Sequence, residues 1–258
     1  MPNPEADRLL GDMDKPIYRY LADRKWRSYK RELLLQRIRQ MTVVPDVLPT
    51  IDPTVSTALF FGARKVQHGD FVASRVSESP PSIDVQCYDK GKRLVTIAVV
   101  NPDVPDVEND GFGYRCHFLA SNIEISPTDT RVNLGKLDEK TQVILPWLPA
   151  YAQKGTSYQR MSVFILQQPG SDADASQALD TAAIKEACRY TQREGFKLLS
   201  MATKYLLKAV GVDLFRTQWD EGTAGVMQRT GIVGSDVEFK RKRIEPLPYQ
   251  RRNGDKYR

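Results

Sequence analysis

The sequence predicts a mainly β protein: an antiparallel β-sandwich with flanking helices, an N-terminal basic helix and a basic C-terminal tail. Three observations support this fold class. Short apolar runs recur at irregular spacing without the alternating helices of βαβ repeats, which favours an antiparallel sandwich. The most apolar run, Leu94–Val100, is long enough for a buried strand and is expected at the centre of a sheet. A helical pattern rich in arginine and lysine occupies Pro16–Met41, ahead of the first apolar run.

Composition narrows the functional class. Of the 258 residues, 41% are hydrophobic and 27% are charged, which is ordinary for a globular protein, and no run approaches a membrane span of roughly 18 apolar residues. Three cysteines without a CxxC pair and two histidines argue against a disulfide framework or a metal site, and no cofactor is expected. The N-terminus has neither an apolar segment nor an Arg/Ser-rich amphipathic pattern, so it predicts neither a signal nor a transit peptide.

The predicted N-terminal helix carries one apolar stripe and a dense set of cations. Ala22, Trp26, Tyr29 and Leu33 recur at spacings of four, three and four residues, and the stripe then drifts through later residues. The cations are candidate contacts to RNA or protein: Arg19, Arg24, Lys25, Arg27, Lys30, Arg31, Arg37 and Arg39. Two interpretations remain open. The helix is either a solvated helix packed by its stripe, or an RNA-contacting helix whose self-repulsion is relieved by phosphates.

Charge is segregated along the chain. Lys15–Arg39 holds nine basic and two acidic residues, a net of +7, and Lys240–Arg258 holds eight basic and two acidic residues, a net of +6. Since the whole chain carries +6, the remainder carries −7. The tail's candidate contacts are Lys240, Arg241, Lys242, Arg243, Arg251 and Arg252. We therefore expect three units: an arm, helix and proline-rich linker (1–49), a body (50–232) and an extended tail (233–258), with both appendages suited to a polyanion.

The remaining elements follow from the same patterns. The prolines of the segment Val43–Pro53 predict a linker that does not continue the helix and favours extended backbone. Short apolar or alternating runs predict strands at Thr57–Phe61, Ile83–Tyr88, Met161–Leu166 and Val212–Trp219. Helical patterns predict helices at Thr181–Tyr190, Lys197–Leu206 and Glu221–Thr230.

A recognisable signature surrounds the central strand. Residues 101–105 read NPDVP, where two prolines are expected to stop the strand, and after an acidic loop a second strand from Tyr114 carries His117 in CHFLASN. This resembles the phosphatidylethanolamine-binding-protein (PEBP) family, whose signature reads approximately DPDAP, a loop, then HHFLVVN. Gln153–Arg160, QKGTSYQR, looks like the family's PPKGTGxHRY, and residues 193–219 match its closing helix and strand.

The resemblance implies a small anion-binding pocket. The positions that correspond to its lining are Asn101, Asp103, His117, Gln159 and Arg160. Two of them depart from the family, since Asn101 stands in place of an aspartate and Gln159 in place of a histidine that can carry a proton. Tyr151 and Gln153 replace small residues and are expected to fill the opening. We therefore expect a degenerate pocket in which His117 and Asp103 are structural.

No residues predict catalysis. His117 has no nucleophile at a recognisable elbow, and Ser121 lies on a strand with no such context. His68 stands alone in a loop, where a surface histidine is expected. The acidic loop after residue 105 lacks the spacing of a calcium site.

The segments YLADRKWRSY at residues 20–29, VVPDVLP at 43–49 and WDEGTAGVMQR at 219–229 extend the resemblance to nearly the whole chain. With them, the chain is similar to the PEBP-like branch found in the large subunit of the fungal mitochondrial ribosome. That resemblance implies a non-enzymatic structural constituent in the mitochondrial matrix. Its expected partners are mitochondrial rRNA of the large subunit and other mitochondrial ribosomal proteins. The alternative is a free PEBP-type binding module for a phosphate-bearing ligand or for a protease or kinase partner.

Overall fold

Two antiparallel sheets face each other in the computed structural model, which describes residues 11–170, 178–186 and 190–240. The strands are β1 (Ser56–Phe61), β2 (Arg64–Val66), β3 (Ser82–Gln86), β4 (Arg93–Asp106), β5 (Gly111–Ile125), β6 (Arg131–Asn133), β7 (Val143–Leu145), β8 (Gln159–Gln167) and β9 (Lys208–Thr217). One sheet has the order β2-β1-β3-β6 and the other β7-β5-β4-β8-β9. The predicted mainly β, antiparallel sandwich is confirmed, and β4 is the central strand of its sheet.

Short helices and single helical turns precede, connect and follow the strands. They are α1 (Pro16–Lys25), a π-turn (Trp26–Lys30), α2 (Arg31–Gln40), α3 (Val43–Asp46), α4 (Ser74–Ser77), a 3-10 turn (Leu134–Lys136), α5 (Thr181–Glu186), α6 (Leu198–Lys204) and α7 (Thr223–Arg229). We call residues 16–40, with α1, the π-turn and α2, the basic helix. No helix within the described residues is long and apolar enough to cross a membrane.

Two apolar layers explain why β4 and β8 read as unbroken hydrophobic runs. One layer fills the space between the sheets and takes alternate residues of β1 and β3, whose other faces are only partly buried. The second layer lies between the five-stranded sheet and the helices, and includes Leu34 and Ile38 of α2 and Met201 of α6. A sheet covered on both faces needs apolar residues at successive positions rather than at alternate ones.

The proline-rich segment after the basic helix packs closely on the body. Val43, Val47 and Leu48 are buried in the second apolar layer, and Val43–Asp46 forms a single helical turn interrupted at Val44. The expectation of an extended linker is therefore wrong for this turn. The chain leaves the basic helix through Thr42, which has a φ of 51° and so ends the helix.

A π-turn corrects the predicted apolar stripe of the basic helix. The Arg31 N–H binds the Trp26 carbonyl five residues earlier, so one extra residue enters the helix. Two ordinary turns span about seven residues, and the extra residue makes the repeat eight. Leu34 instead of Leu33 therefore shares the buried face of Trp26. Tyr29, predicted to lie on the stripe, is 65% exposed.

The hairpin of β4 and β5 is longer than predicted. Pro102 and Pro105 do not end β4, which continues to Asp106 and pairs Val104 with Gly113. Pro102 lies within the register break between Asn101 and Val104, and Pro105 pairs with Phe112 close to the end of the hairpin. A second irregularity pairs Val99 with Phe118 and Val100 with Cys116, which leaves His117 as the extra residue of a β-bulge.

Candidate functional site

The five residues predicted to line the pocket divide into two groups. Asn101 Nδ2 donates to Gln159 Oε1 at 2.7 Å, and Asn101 Oδ1 accepts from the Asp103 N–H at 2.9 Å. Asp103 in turn accepts the Arg160 N–H at 2.8 Å. Two neutral amides thus satisfy each other where the family pattern has an aspartate and a histidine. Among the described residues, His117 makes no hydrogen bond to the other four.

Arg160 joins the start of β8 to the segment after the basic helix. Its guanidinium binds both oxygens of Asp103, and its Nη1 donates to Met41 O, Thr42 Oγ1 and Asp46 Oδ2 at 2.7, 2.7 and 2.8 Å. Burial disfavours the charged guanidinium, but the hydrogen bonds and charges of Asp103 and Asp46 outweigh it and raise the pKa of Arg160. Because Arg160 is paired with the carboxylates of Asp103 and Asp46, its positive charge is neutralised and attracts an anionic ligand only weakly.

His117 is neutral and sealed from solvent. Its side chain is 0% exposed, its Nδ1 lies 3.0 Å from Leu148 O, and its Nε2 has no hydrogen-bond partner in the described residues. Burial lowers the pKa of His117 to about 3, helped by the charges of Arg115 and Arg193 and opposed by the Leu148 carbonyl. An imidazole that stays neutral at physiological pH cannot supply a charge to a phosphate.

Tyr151 occupies the space beside His117. The tyrosine is buried, its ring centroid lies 6.1 Å from that of His117, and its hydroxyl accepts a hydrogen bond from Arg115 Nη1. Burial raises the pKa of the Tyr151 phenol, so it remains protonated. Arg115, which no sequence motif marked, also binds Glu194 at 2.9 Å. That Tyr151 fills the opening of the pocket stays a prediction, which its burial beside His117 supports.

A surface cavity of about 470 Å³ lies over the Arg160 side of the site. Asp103, Gln159 and Arg160 line it, whereas Asn101 and His117 do not. Its rim includes the end of the basic helix at Gln40 and, from the other end of the chain, Phe239, whose N–H binds Lys154 O at 2.8 Å. The end of the basic helix and a residue of the C-terminal tail therefore line the same cavity.

The predicted cations of the basic helix also divide into two groups. Four make hydrogen bonds or ion pairs within the protein. Arg19 binds backbone carbonyls of Met13 and Asp14, Arg27 binds Asp23, Arg31 binds Asp52, Glu32 and Pro53 O, and Arg37 binds His68 O and Gln40. The other four are exposed and have no ion pair within the described ranges: Arg24, Lys25, Lys30 and Arg39.

Most of the predicted tail lies outside the described residues. Lys240 is described, and its Nζ lies 2.9 Å from a carboxylate oxygen of Glu238. The candidates Arg241, Lys242, Arg243, Arg251 and Arg252 are not among the residues that the structure describes. In the described parts of the chain, no three His, Cys, Asp or Glu residues are grouped so that they could hold a metal ion.

The sequence is similar to a known protein family and to a ribosomal protein. The sequence model of the family described as phosphatidylethanolamine-binding protein matches residues 62–205. Large ribosomal subunit protein mL38 of Schizosaccharomyces pombe is 25% identical over 241 residues, covering 92% of this chain and 72% of that protein.

Two solved structures share the fold at lower identity. A phosphatidylethanolamine-binding protein from Plasmodium vivax has a TM-score of 0.54 at 17% identity, covering 72% of this chain and 97% of that one. A crystal structure of carboxypeptidase Y inhibitor complexed with the cognate proteinase has a TM-score of 0.55 at 14% identity, covering 74% of this chain and 97% of that one.

Proposed function

The chain belongs to the phosphatidylethanolamine-binding protein family, and we propose that it is a structural constituent of the mitochondrial large ribosomal subunit. One observation carries the proposal: the similarity to the large ribosomal subunit protein covers 92% of the chain. The similarity therefore extends well beyond residues 62–205, to which the family's own model is limited. The protein would work in the mitochondrial matrix, bound to the ribosome, and would catalyse no reaction.

The basic appendages would contact rRNA and neighbouring ribosomal proteins. Arg24, Lys25, Lys30 and Arg39 are the cations of the basic helix that the protein leaves unpaired among its described residues, so they are available to phosphates. Contacts of Lys and Arg to phosphate fix position and do not read sequence. The remainder of the chain, with its net charge of −7, would face solvent or basic proteins. The proposed units 1–49, 50–232 and 233–258 carry net charges of +3, −1 and +4, so both appendages are basic and the body is nearly neutral.

The pocket of the family would be degenerate in this chain. Its histidine is buried beside Tyr151 with a pKa lowered to about 3, and its arginine is bound to two carboxylates. These contacts support a structural use of Asn101, Asp103, His117, Gln159 and Arg160 in place of binding an anionic headgroup.

Density-gradient sedimentation of mitochondrial lysate tests the proposal. We expect the protein to co-migrate with the large subunit at low salt and at roughly 0.5 M salt, where weak phosphate contacts are screened. A marker matrix enzyme in the same gradient controls for trapping. Recovery only in the light fractions would overturn the proposal and favour a free module for a phosphate-bearing ligand or a protease or kinase partner.

A further inference from the structure

A second cleft lies away from the family pocket, between the basic helix and the four-stranded sheet. Its volume is about 270 Å³, and its walls come from the π-turn, α2, β1 and the β2 turn. Three side chains that can carry positive charge line it: Lys30 from the π-turn, Lys65 from β2 and His68 from the following turn. Trp26 and Tyr29 form part of its apolar wall.

His68 is held in this cleft by a buried carboxylate, contrary to the expectation of an isolated surface histidine. Its Nδ1 lies 2.7 Å from Oδ1 of Asp213 on β9, which is 1% exposed. Since Asp213 occupies Nδ1, Nε2 is the ring nitrogen left to meet a ligand. Asp213 Oδ1 also accepts the Leu214 N–H at 2.7 Å, whereas Asp213 Oδ2 is buried and has no hydrogen-bond partner within the described residues. His68 is therefore the one side chain that hydrogen-bonds this carboxylate in the described part of the chain.

The pair favours the imidazolium form of His68. Burial opposes the charge, but the hydrogen bond and charge of Asp213 outweigh burial and raise the pKa of His68, against the nearby cations Lys65 and Arg37. Burial also raises the pKa of the Asp213 carboxyl, and the hydrogen bond with His68 counteracts that rise. Two further carboxylates lie near the cleft: Asp70, which accepts the Gln67 N–H at 3.2 Å, and Asp84 on β3, whose pKa is raised by burial against the lowering effect of the charge of Lys65.

Cations therefore outnumber anions around the cleft. Lys30 and Lys65 have no ion pair in the described part of the chain, and Arg37 donates its Nε to the carbonyl oxygen of His68. Like charges brought together on two different elements repel each other, and an anion placed between them relieves that repulsion.

We propose that this cleft binds a phosphate group through Lys30, Lys65 and Nε2 of His68. Lysine and imidazolium donors suit phosphate oxygens as charge-assisted hydrogen bonds. The source of the phosphate rests on the proposed function, under which it is a phosphodiester of rRNA. A free phosphorylated small molecule would present the same chemistry. The exposed ring of Tyr29 favours a phosphate that carries a base, because bases stack on aromatic side chains.

The chain has only two histidines, which makes the site directly observable. The full chain, labelled with ¹³C at histidine Cε1, is titrated with an eight-nucleotide oligouridylate, with inorganic phosphate, and with chloride at matched ionic strength. We expect the His68 signal to shift saturably with the oligonucleotide and its apparent pKa to rise. The buried His117 signal should stay in place.

Matched lysine variants locate the site. We expect Lys65→Gln and Lys30→Gln each to weaken oligonucleotide binding at least about fivefold, because each removes one charge-assisted contact. Lys136→Gln, an exposed lysine on the 3-10 turn, should leave binding unchanged. Equal shifts of His68 with chloride, or equal weakening by Lys136→Gln, would overturn the site.

A saturable response to inorganic phosphate without one to the oligonucleotide would overturn the RNA source and support a small phosphorylated ligand. The titration uses the isolated chain and no ribosome. If the oligonucleotide and phosphate titrations fail while the protein still co-sediments with the large subunit, phosphate binding in the cleft is refuted and the proposed ribosomal role is not.

Discussion

Arg160 binds Asp103 through two parallel contacts, with Nη2 2.5 Å from Oδ1 and Nε 2.8 Å from Oδ2. The same guanidinium binds Asp46 and the backbone after the basic helix, so the ion pair ties the N-terminal extension to β8. A residue that the family resemblance places at a ligand pocket thus holds two segments of the chain together.

Replacing Arg160 by Met should destabilise the protein by about 3 kcal/mol, because it leaves Asp103 without its partner in a largely buried position. Urea unfolding at neutral pH measures the change. Arg229→Met is the matched control: Arg229 pairs with Glu78 through two contacts of 2.8 Å but is 57% exposed, and its loss should cost less than about 1 kcal/mol. Equal costs for the two variants would contradict this role of Arg160.

His117 should make stability depend on pH in a defined direction. Its pKa is about 3 in the folded chain and about 6.5 when unfolded, so below pH 6.5 the unfolded state binds a proton that the folded state does not. The stability present above pH 6.5 is then lost by about 1.4 kcal/mol per pH unit as pH falls. His117→Gln cannot take up this proton. Between pH 7 and pH 5, wild type should lose about 2 kcal/mol more than the variant in urea unfolding. Parallel pH profiles would show that His117 is not buried as a neutral base.

The π-turn predicts an asymmetry between deletion and insertion. Deleting Ser28 should turn five π-helical residues into an ordinary turn and keep Trp26 and Leu34 on one face, seven residues apart, at a cost below about 1.5 kcal/mol. Inserting an alanine after Ser28 rotates α2 by about 100° and exposes Leu34 and Ile38. Each buried aliphatic side chain contributes about 1.5–3 kcal/mol, so the insertion should cost at least about 3 kcal/mol. Denaturant unfolding of both variants decides this. Similar costs would mean that the helix has no extra residue to lose.

The unpaired cations of the basic helix should set the salt dependence of RNA binding. We expect neutralisation of Arg24, Lys25, Lys30 and Arg39 to glutamine to reduce the slope of log K against log salt by about 3 for rRNA fragments, because each phosphate contact contributes about 0.7–0.9. Filter binding at several salt concentrations measures the slope. A control variant removes the same number of positive charges from the body by replacing four exposed lysines with glutamine: Lys90, Lys136, Lys197 and Lys208. If the control lowers the slope equally, the effect is one of net charge and the helix is not the binding surface.

Sequence patterns correctly predicted the elements whose formation depends on neighbouring residues. The apolar run at Leu94–Val100 gave the central strand, and the cation-rich helical pattern gave the basic helix, because burial and helix periodicity are written into neighbouring residues. The three-residue strands β2, β6 and β7 were missed, since a run that short has no measurable period.

Contacts between distant parts of the chain could not be predicted. Arg160 meets Asp46 across 114 residues, and His68 meets Asp213 across 145, so no spacing in the sequence relates them. The β-bulge that isolates His117 depends on how β4 and β5 pair, which neither strand specifies alone. The apolar stripe failed at Tyr29 because the rule assumes a uniform helix, and the π-turn breaks that uniformity.

Cryo-electron microscopy of purified mitochondrial large subunits tests the central proposal most directly. We expect density for this chain on the subunit, with Arg24, Lys25 and Arg39 of the basic helix at salt-bridge distance from rRNA phosphates and Tyr151 closing the space beside His117. Subunits without the chain would contradict the ribosomal role. A bound chain whose basic helix faces solvent would contradict the assignment of that helix to rRNA.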